Sequence, residues 1–174
     1  MKKAIALLLA LVMVFALCAC GGGGDSASGE KVVKIGVFEP ASGDSGAGGK
    51  KEMLGMQYAN QETPTVEIGG ETYKVELVYS DNGSDSAKAV SAASKLVNEK
   101  VSLVLGSYGS GVSIAASDTF KQAGIPAIGV TCTNPNVTAG NSHYFRICFL
   151  DPFQGTVLAL SLIHISEPTR LRRI

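Results

Sequence analysis

The chain has 174 residues, 45% of them apolar and 17% charged, a length that allows one domain or slightly more and a composition that excludes a disordered polymer. Its 15 Lys+Arg balance 15 Asp+Glu, but unevenly: residues 20–159 carry 10 basic and 14 acidic side chains, a net of −4. A mildly acidic body without a basic cluster excludes binding that works by neutralising nucleic-acid phosphates.

In chain order, Lys2 and Lys3 precede sixteen uncharged residues, 4–19. That run is shorter than the roughly 20 apolar residues of a membrane span and fits the hydrophobic region of a signal peptide, residues 1–19. It ends in Leu17-Cys18-Ala19-Cys20, which resembles the bacterial lipobox with Cys20 as the lipidated cysteine. Choosing Cys18 would put Leu17 where a small residue is wanted; the alternative is a plain secretory signal with an incidental cysteine. A diacylglyceryl anchor, at about 0.8 kcal/mol per buried methylene, would hold the protein stably on a membrane. Residues 20–30, rich in Gly and Ser, read as a flexible tether.

The body then alternates strand and helix. Residues 31–38 (KVVKIGVF) predict a strand, followed by a Gly- and Ser-rich loop over 41–49. Met53, Leu54, Met56 and Ala59 predict a helix over 51–61. Residues 66–68 and 73–79, joined through Gly69-Gly70, predict a hairpin. The turn at 81–85 caps a helix over 86–99, whose apolar face carries Ala89, Val90, Ala93, Leu96 and Val97. Residues 101–105 (VSLVL) predict a parallel strand covered on both faces. A helix over 112–123 stops at Gly124, and strands follow at 127–130 and 144–148. Asp151-Pro152-Phe153-Gln154 predicts a further helix start. This order implies an α/β fold: an open parallel sheet with helices on both faces.

Nucleotide chemistry fails on spacing. Asp44 stands where a phosphate-gripping loop needs its first glycine, Lys51 stands where it needs Ser or Thr, and no G-x-G-x-x-G follows the first strand. No G-x-S-x-G elbow is present, and His143 alone builds neither a metal site nor a catalytic dyad. No catalytic residue, metal or cofactor is expected. What remains lies beyond strand ends, where open α/β sheets bind ligands. There Gly106–Gly111 enters a helix and Val130–Pro135 leaves a strand. Helix-start N–H groups attract a carboxylate, and Ser or Thr hydroxyls serve both a carboxylate and an ammonium group. The same hydroxyls at a helix start can equally be simple caps.

Residues 32–159 resemble the first part of the branched-chain amino-acid-binding family of ABC-transporter substrate-binding lipoproteins, which have the type I periplasmic-binding fold. The resemblance is carried by IGVFEPASGDSGAGGKKEMLGMQYA, by DNGSDSAKAV, by VLGSYGSGVSIAASDTFKQAGIPAIGV and by TCTNPNVTAGNSHYFRICFLDPFQG. It implies an extracytoplasmic receptor without enzymatic activity that closes two lobes on a small amino acid and delivers it to a permease and ATPase. It implies ligand contacts by Ser110, Thr131 (largely through backbone) and Thr133, with Tyr108 as a wall. It also implies structural roles for Arg146 and residues 151–155. Family members often carry an aromatic residue where this chain has Gly48, which implies that this wall is missing or supplied elsewhere, and a wider or differently shaped pocket that a Gly48→Trp change would tighten. A lipid-anchored monomer is expected. A sensory ligand-binding domain of the same fold and an exported α/β hydrolase stay open as rivals.

Residues 31–150 are thus expected to form an incomplete first lobe, and 151–159 the start of a second. Residues 160–170, LSLIHISEPTR, resemble the codon-by-codon translation of a transposase-type sequencing adapter. That implies 160–174 are not native protein and that the chain is a fragment, folding poorly by itself. Cys132 and Cys148 are expected to be free thiols, although an exported compartment would allow a disulfide.

Overall fold

The computed structural model describes residues 30–166; the signal segment, Cys20, the tether up to Gly29 and residues 167–174 lie outside them. The elements are β1 (Val32–Val37), α1 (Gly46–Glu62), β2 (Thr65–Ile68), β3 (Glu71–Tyr79), α2 (Ser86–Asn98), β4 (Leu103–Leu105), α3 (Ser110–Gln122), β5 (Ala127–Gly129), a 3-10 turn (Pro135–Val137), β6 (Tyr144–Arg146) and α4 (Asp151–Ser166).

The six strands form one sheet in the order β2-β3-β1-β4-β5-β6. All neighbours are parallel except the edge hairpin β2–β3, which turns through Gly69 and Gly70 at φ of 62° and 82°. In β1, Ile35 stands opposite Leu77 of β3 and Leu103 of β4. Because the strands are parallel, the segments after β1, β3, β4 and β5 all leave from one edge of the sheet.

One face is sealed by α2 and α3. Phe38, Leu96, Val104 and Phe120 are almost fully buried there, and the Phe38 and Phe120 rings meet edge-on at 5.5 Å. Asp85 caps α2 by accepting from the Ala87 N–H at 2.7 Å, a contact worth about 1 kcal/mol.

The other face departs from the expectation of full cover. Strand alternation sends Val104 into the sealed core and its neighbours Leu103 and Leu105 to the opposite side. There α1 alone lies over the sheet among the described residues, beside an open groove of about 690 Å³ lined by Ile35, Val75, Leu77, Leu105, Ile128 and Met56. VSLVL is therefore apolar on both sides of the pleat, yet only one side is sealed.

Helix α1 starts at Gly46, five residues before the expected position. Glycine is a poor helix former, so periodicity alone leaves residues 46–50 in a loop. Packing overrides it: a Cβ at Gly49 would come within 2.3 Å of the Pro40 carbonyl oxygen, so only glycine lets the helix start sit against the segment leaving β1. Helix α4 runs through Ser166 without a break at residue 160, and its apolar side chains Phe153, Leu158 and Leu162 are exposed.

Candidate functional site

The loops at the sheet edge are tied together by side-chain hydrogen bonds. Asn82, fully buried, donates from Nδ2 to the Phe38 carbonyl at 3.2 Å and to Ser107 Oγ at 3.1 Å, joining the segments after β1, β3 and β4. Asp81 accepts from the N–H of Ala41 and Gly83, both at 2.8 Å, and from Ser42 Oγ at 2.7 Å. Partial burial pushes the Asp81 carboxyl up, but hydrogen bonds from Ser42, Gly83 and Ala41 outweigh it and hold the group below its ordinary value. Gly106 must be glycine: its φ is +115°, and a Cβ there would fall 2.3 Å from the Phe38 carbonyl oxygen.

Ser110 opens α3, but it is not the cap. The N-cap is Gly109, which supplies no side-chain bond. Ser110 Oγ accepts from the Asn134 N–H at 3.4 Å, and its own proton has no acceptor among the described residues. Thr131 is exposed and donates to Glu52 Oε1 at 2.5 Å and, more weakly, to the Tyr108 carbonyl at 3.5 Å. The structure thus brings Ser110, Thr131 and Tyr108 onto one rim. Thr133 is held there by its backbone, its carbonyl accepting from the Asp151 N–H at 3.1 Å, while its hydroxyl bonds to nothing among the described residues.

Arg146 fixes the loop after β5. Its guanidinium donates to the carbonyls of Cys132 at 3.0 Å, Asn134 at 2.9 Å and Pro135 at 3.2 Å, and to Thr138 Oγ1 at 3.0 Å. This fork holds Thr131 and Thr133 in place without presenting charge to a ligand. Cys132 is buried and Cys148 half-buried, both as free thiols, and burial pushes the Cys132 thiol up.

Of the two expectations at Gly48, a missing wall and a wall supplied from elsewhere, the geometry favours the second and leaves no void there. A Cβ added there would lie 2.6 Å from the Tyr108 ring. Tyr108, 43% exposed, already fills the space above Gly48, and the aromatic wall is carried by the loop after β4. A Trp at Gly48 would displace that ring instead of filling a void.

Sequence reasoning missed two carboxyls. Glu39, immediately after β1, is only 1% exposed and accepts the Tyr108 N–H through Oε2 at 2.8 Å. Burial, together with the hydrogen bond and charge of Glu52, pushes the Glu39 carboxyl up to about 9 despite the Tyr108 bond. Glu39 Oε1 and Glu52 Oε2 are buried with no further hydrogen-bond partner among the described residues, so the proton that Glu39 holds is what joins the two carboxyls. The available signal was an acid set between Phe38 and Pro40 at a strand's C-terminal end.

The periplasmic binding protein family matches residues 32–163. The chain belongs to this family. Among periplasmic binding proteins it is 33% identical to the Leu/Ile/Val-binding protein homolog 2 of Brucella abortus over 126 residues, which is 72% of this chain and 34% of that protein. It is 38% identical to the leucine-binding protein LivK of Thermotoga maritima, with a TM-score of 0.69 over 74% of this chain and 36% of that one. The branched-chain amino acid transporter substrate-binding protein LivJ of Streptococcus pneumoniae, solved with isoleucine, is 34% identical with a TM-score of 0.62, covering 70% of this chain and 35% of that one. The chain spans about a third of the length of the curated relatives it matches. No helix among the described residues is long and apolar enough to cross a membrane.

Proposed function

We propose that the chain is the first ligand-binding lobe of an extracytoplasmic solute receptor, the substrate-binding component of an ABC importer for a small amino acid of branched-chain type. The observation that carries the reading is the rim itself. Ser110, at the N-terminus of α3 and without an acceptor for its proton among the described residues, is bonded to Asn134 of the loop after β5, and Thr131 of that same loop is bonded to Tyr108 of the segment leaving β4. A helix start and a free hydroxyl supply donors for a ligand carboxylate without a cation, and the Tyr108 ring supplies a wall for an aliphatic side chain.

In this reading the protein is a receptor and not an enzyme. Ligand bound at the rim favours a closed arrangement with a second lobe, which engages a permease and its ATPase. The Leu17-Cys18-Ala19-Cys20 run supports a lipid anchor at Cys20, and the receptor works as a monomer. Residues 31–150 belong to the first lobe, 151–159 lead into the second, and 160–174 are adapter-derived.

Ligand-observed saturation-transfer NMR on the 174-residue chain, at millimolar leucine, isoleucine and valine, tests the reading. Leucine transfer that falls about tenfold in Ser110→Ala, the scale of one lost charge-assisted hydrogen bond, is the expected result. Transfer indifferent to Ser110→Ala places the ligand elsewhere and refutes it.

A further inference from the structure

The geometry points to Glu39 and Glu52 as positioning residues: with one shared proton they close a ring of hydrogen bonds through Tyr108 and Thr131, and the rim keeps its binding arrangement only while that proton is held. The inference rests on the cleft reading above and adds a pH-dependent support behind the rim.

The ring can be followed bond by bond. The Tyr108 N–H donates to Glu39 Oε2 at 2.8 Å. The Glu39 proton bonds to Glu52, and the oxygens left for it, Glu39 Oε1 and Glu52 Oε2, are buried with no other partner among the described residues. Glu52 Oε1 accepts from the Thr131 hydroxyl at 2.5 Å, and that hydroxyl reaches back to the Tyr108 carbonyl at 3.5 Å. Residues far apart in sequence, from the segments after β1, β4 and β5 and from α1, are thereby joined. Among the described residues no other side-chain hydrogen bond holds Tyr108 or Thr131. Helix α1 also carries the floor of the wall, because the Tyr108 ring lies over Gly48, about one helical turn before Glu52.

One proton decides whether the ring closes. Glu39 is 1% exposed, and burial with Glu52 beside it pushes its carboxyl up to about 9, so at neutral pH it donates to the Glu52 carboxylate. Once that proton is lost to solvent, two carboxylates adjoin with no donor between them, and they repel. Glu39 is sealed from water, whereas Glu52 is half-buried on α1 and can turn outward, taking the acceptor of Thr131 with it. The surrounding groups do not replace the proton. Tyr144 on β6 senses the Glu39 charge and that of Cys132 in the loop after β5, and burial pushes both of those groups up. Arg146 is spent on carbonyls and Thr138. Asp81 after β3 is spent on Ser42 and backbone N–H groups. Lys50 and Lys51 of α1 are exposed.

The test uses the 174-residue chain with isotope-labelled threonine methyls, and leucine affinity is read by saturation-transfer NMR. The Thr131 methyl resonance, assigned by its loss in Thr131→Ser, should move in one step centred near pH 9. Leucine affinity is taken relative to Glu39→Gln at each pH, which cancels the titration of the ligand's own amine. On that scale the wild type should weaken about tenfold from about pH 8 to about pH 10, as the proton is lost. Glu39→Gln closes the ring without a titrating proton, its amide accepting from Tyr108 and donating to Glu52. Glu39→Met opens the ring, and at about pH 8 it should bind leucine about tenfold more weakly than Glu39→Gln. Glu62→Gln, a charge change on an exposed part of α1, should leave the wild-type step and profile in place. A Thr131 methyl that does not titrate, or titrates equally in Glu39→Gln, refutes the shared proton. A methyl step with no change in relative leucine affinity refutes the positioning role, and Ser110→Ala that still weakens leucine then leaves the cleft reading standing. If leucine is indifferent to Ser110→Ala as well, the cleft reading fails and the proposal with it. Should any of these chains melt without a cooperative transition, the same variants are measured with residues 32–159 spliced into the Thermotoga maritima leucine-binding protein.

Discussion

Replacing Glu39 by Gln isolates the consequence of burying an acid behind β1. The folded carboxyl titrates at about 9 against an ordinary 4.5, so between those values the folded chain holds a proton that the unfolded chain has released. The sign follows: Glu39's contribution is fully present below about pH 4.5 and is lost as the pH rises toward about 9, with a slope of about −1.4 kcal/mol per pH unit. From about pH 5.5 to about pH 7.5 the wild-type fold should therefore lose roughly 3 kcal/mol, or about 10 °C in melting temperature for a chain of this size. Glutamine is neutral at every pH, and its amide oxygen still accepts the Tyr108 N–H while its NH2 donates to Glu52. Glu39→Gln should flatten the profile and melt above the wild type at the upper pH. The depressed Asp81 carboxyl loses its contribution only as the pH falls below its ordinary 3.8, so it does not interfere in this window. Melts followed by far-UV circular dichroism across the range, in the chain or in the Thermotoga splice, make the measurement. Parallel wild-type and variant profiles would refute the buried, protonated Glu39.

Further substitutions probe the rim. Gly48→Trp should weaken leucine binding, because its Cβ would fall 2.6 Å from the Tyr108 ring; Tyr108→Gly in the same chain should restore it, and tightening by the single change would contradict the packing. Gly106→Ala should cost more than about 3 kcal/mol in denaturant melts, combining a positive φ with a backbone collision; a loss under about 1 kcal/mol would show that the loop can shift. Arg146→Met removes a fork that holds three carbonyls, and a loss of about 2–4 kcal/mol is expected, with amide exchange in residues 131–138 rising first. Unchanged exchange there would mean that the loop holds its own shape. The groove beside α1 predicts enhanced fluorescence of an apolar dye by the folded chain, reduced by Leu77→Lys; no enhancement would mean that the groove is closed in solution.

The sequence by itself determined the element order, because each strand is an apolar run and each helix a 3.6-residue pattern with its own stop or cap. Asp85 before α2, Gly69-Gly70 in the hairpin and Gly124 after α3 are local signals that the chain obeys. Segments 106–111 and 130–135 were legible as neighbours because parallel strands must deliver their C-terminal ends to one edge, while it was the family resemblance that singled out Ser110 and Thr131 within them. What only the tertiary structure decided depends on approach between segments far apart in the chain. The start of α1 is set by contact of Gly49 with Pro40, the aromatic wall by the Tyr108 ring lying over Gly48, and the open groove by which side of VSLVL receives helices. Glu39 and Glu52 look like ordinary surface acids in sequence. Glu39 comes to hold its proton only because folding removes water from it and sets Glu52 beside it, and the energy of a charge is fixed by its surroundings.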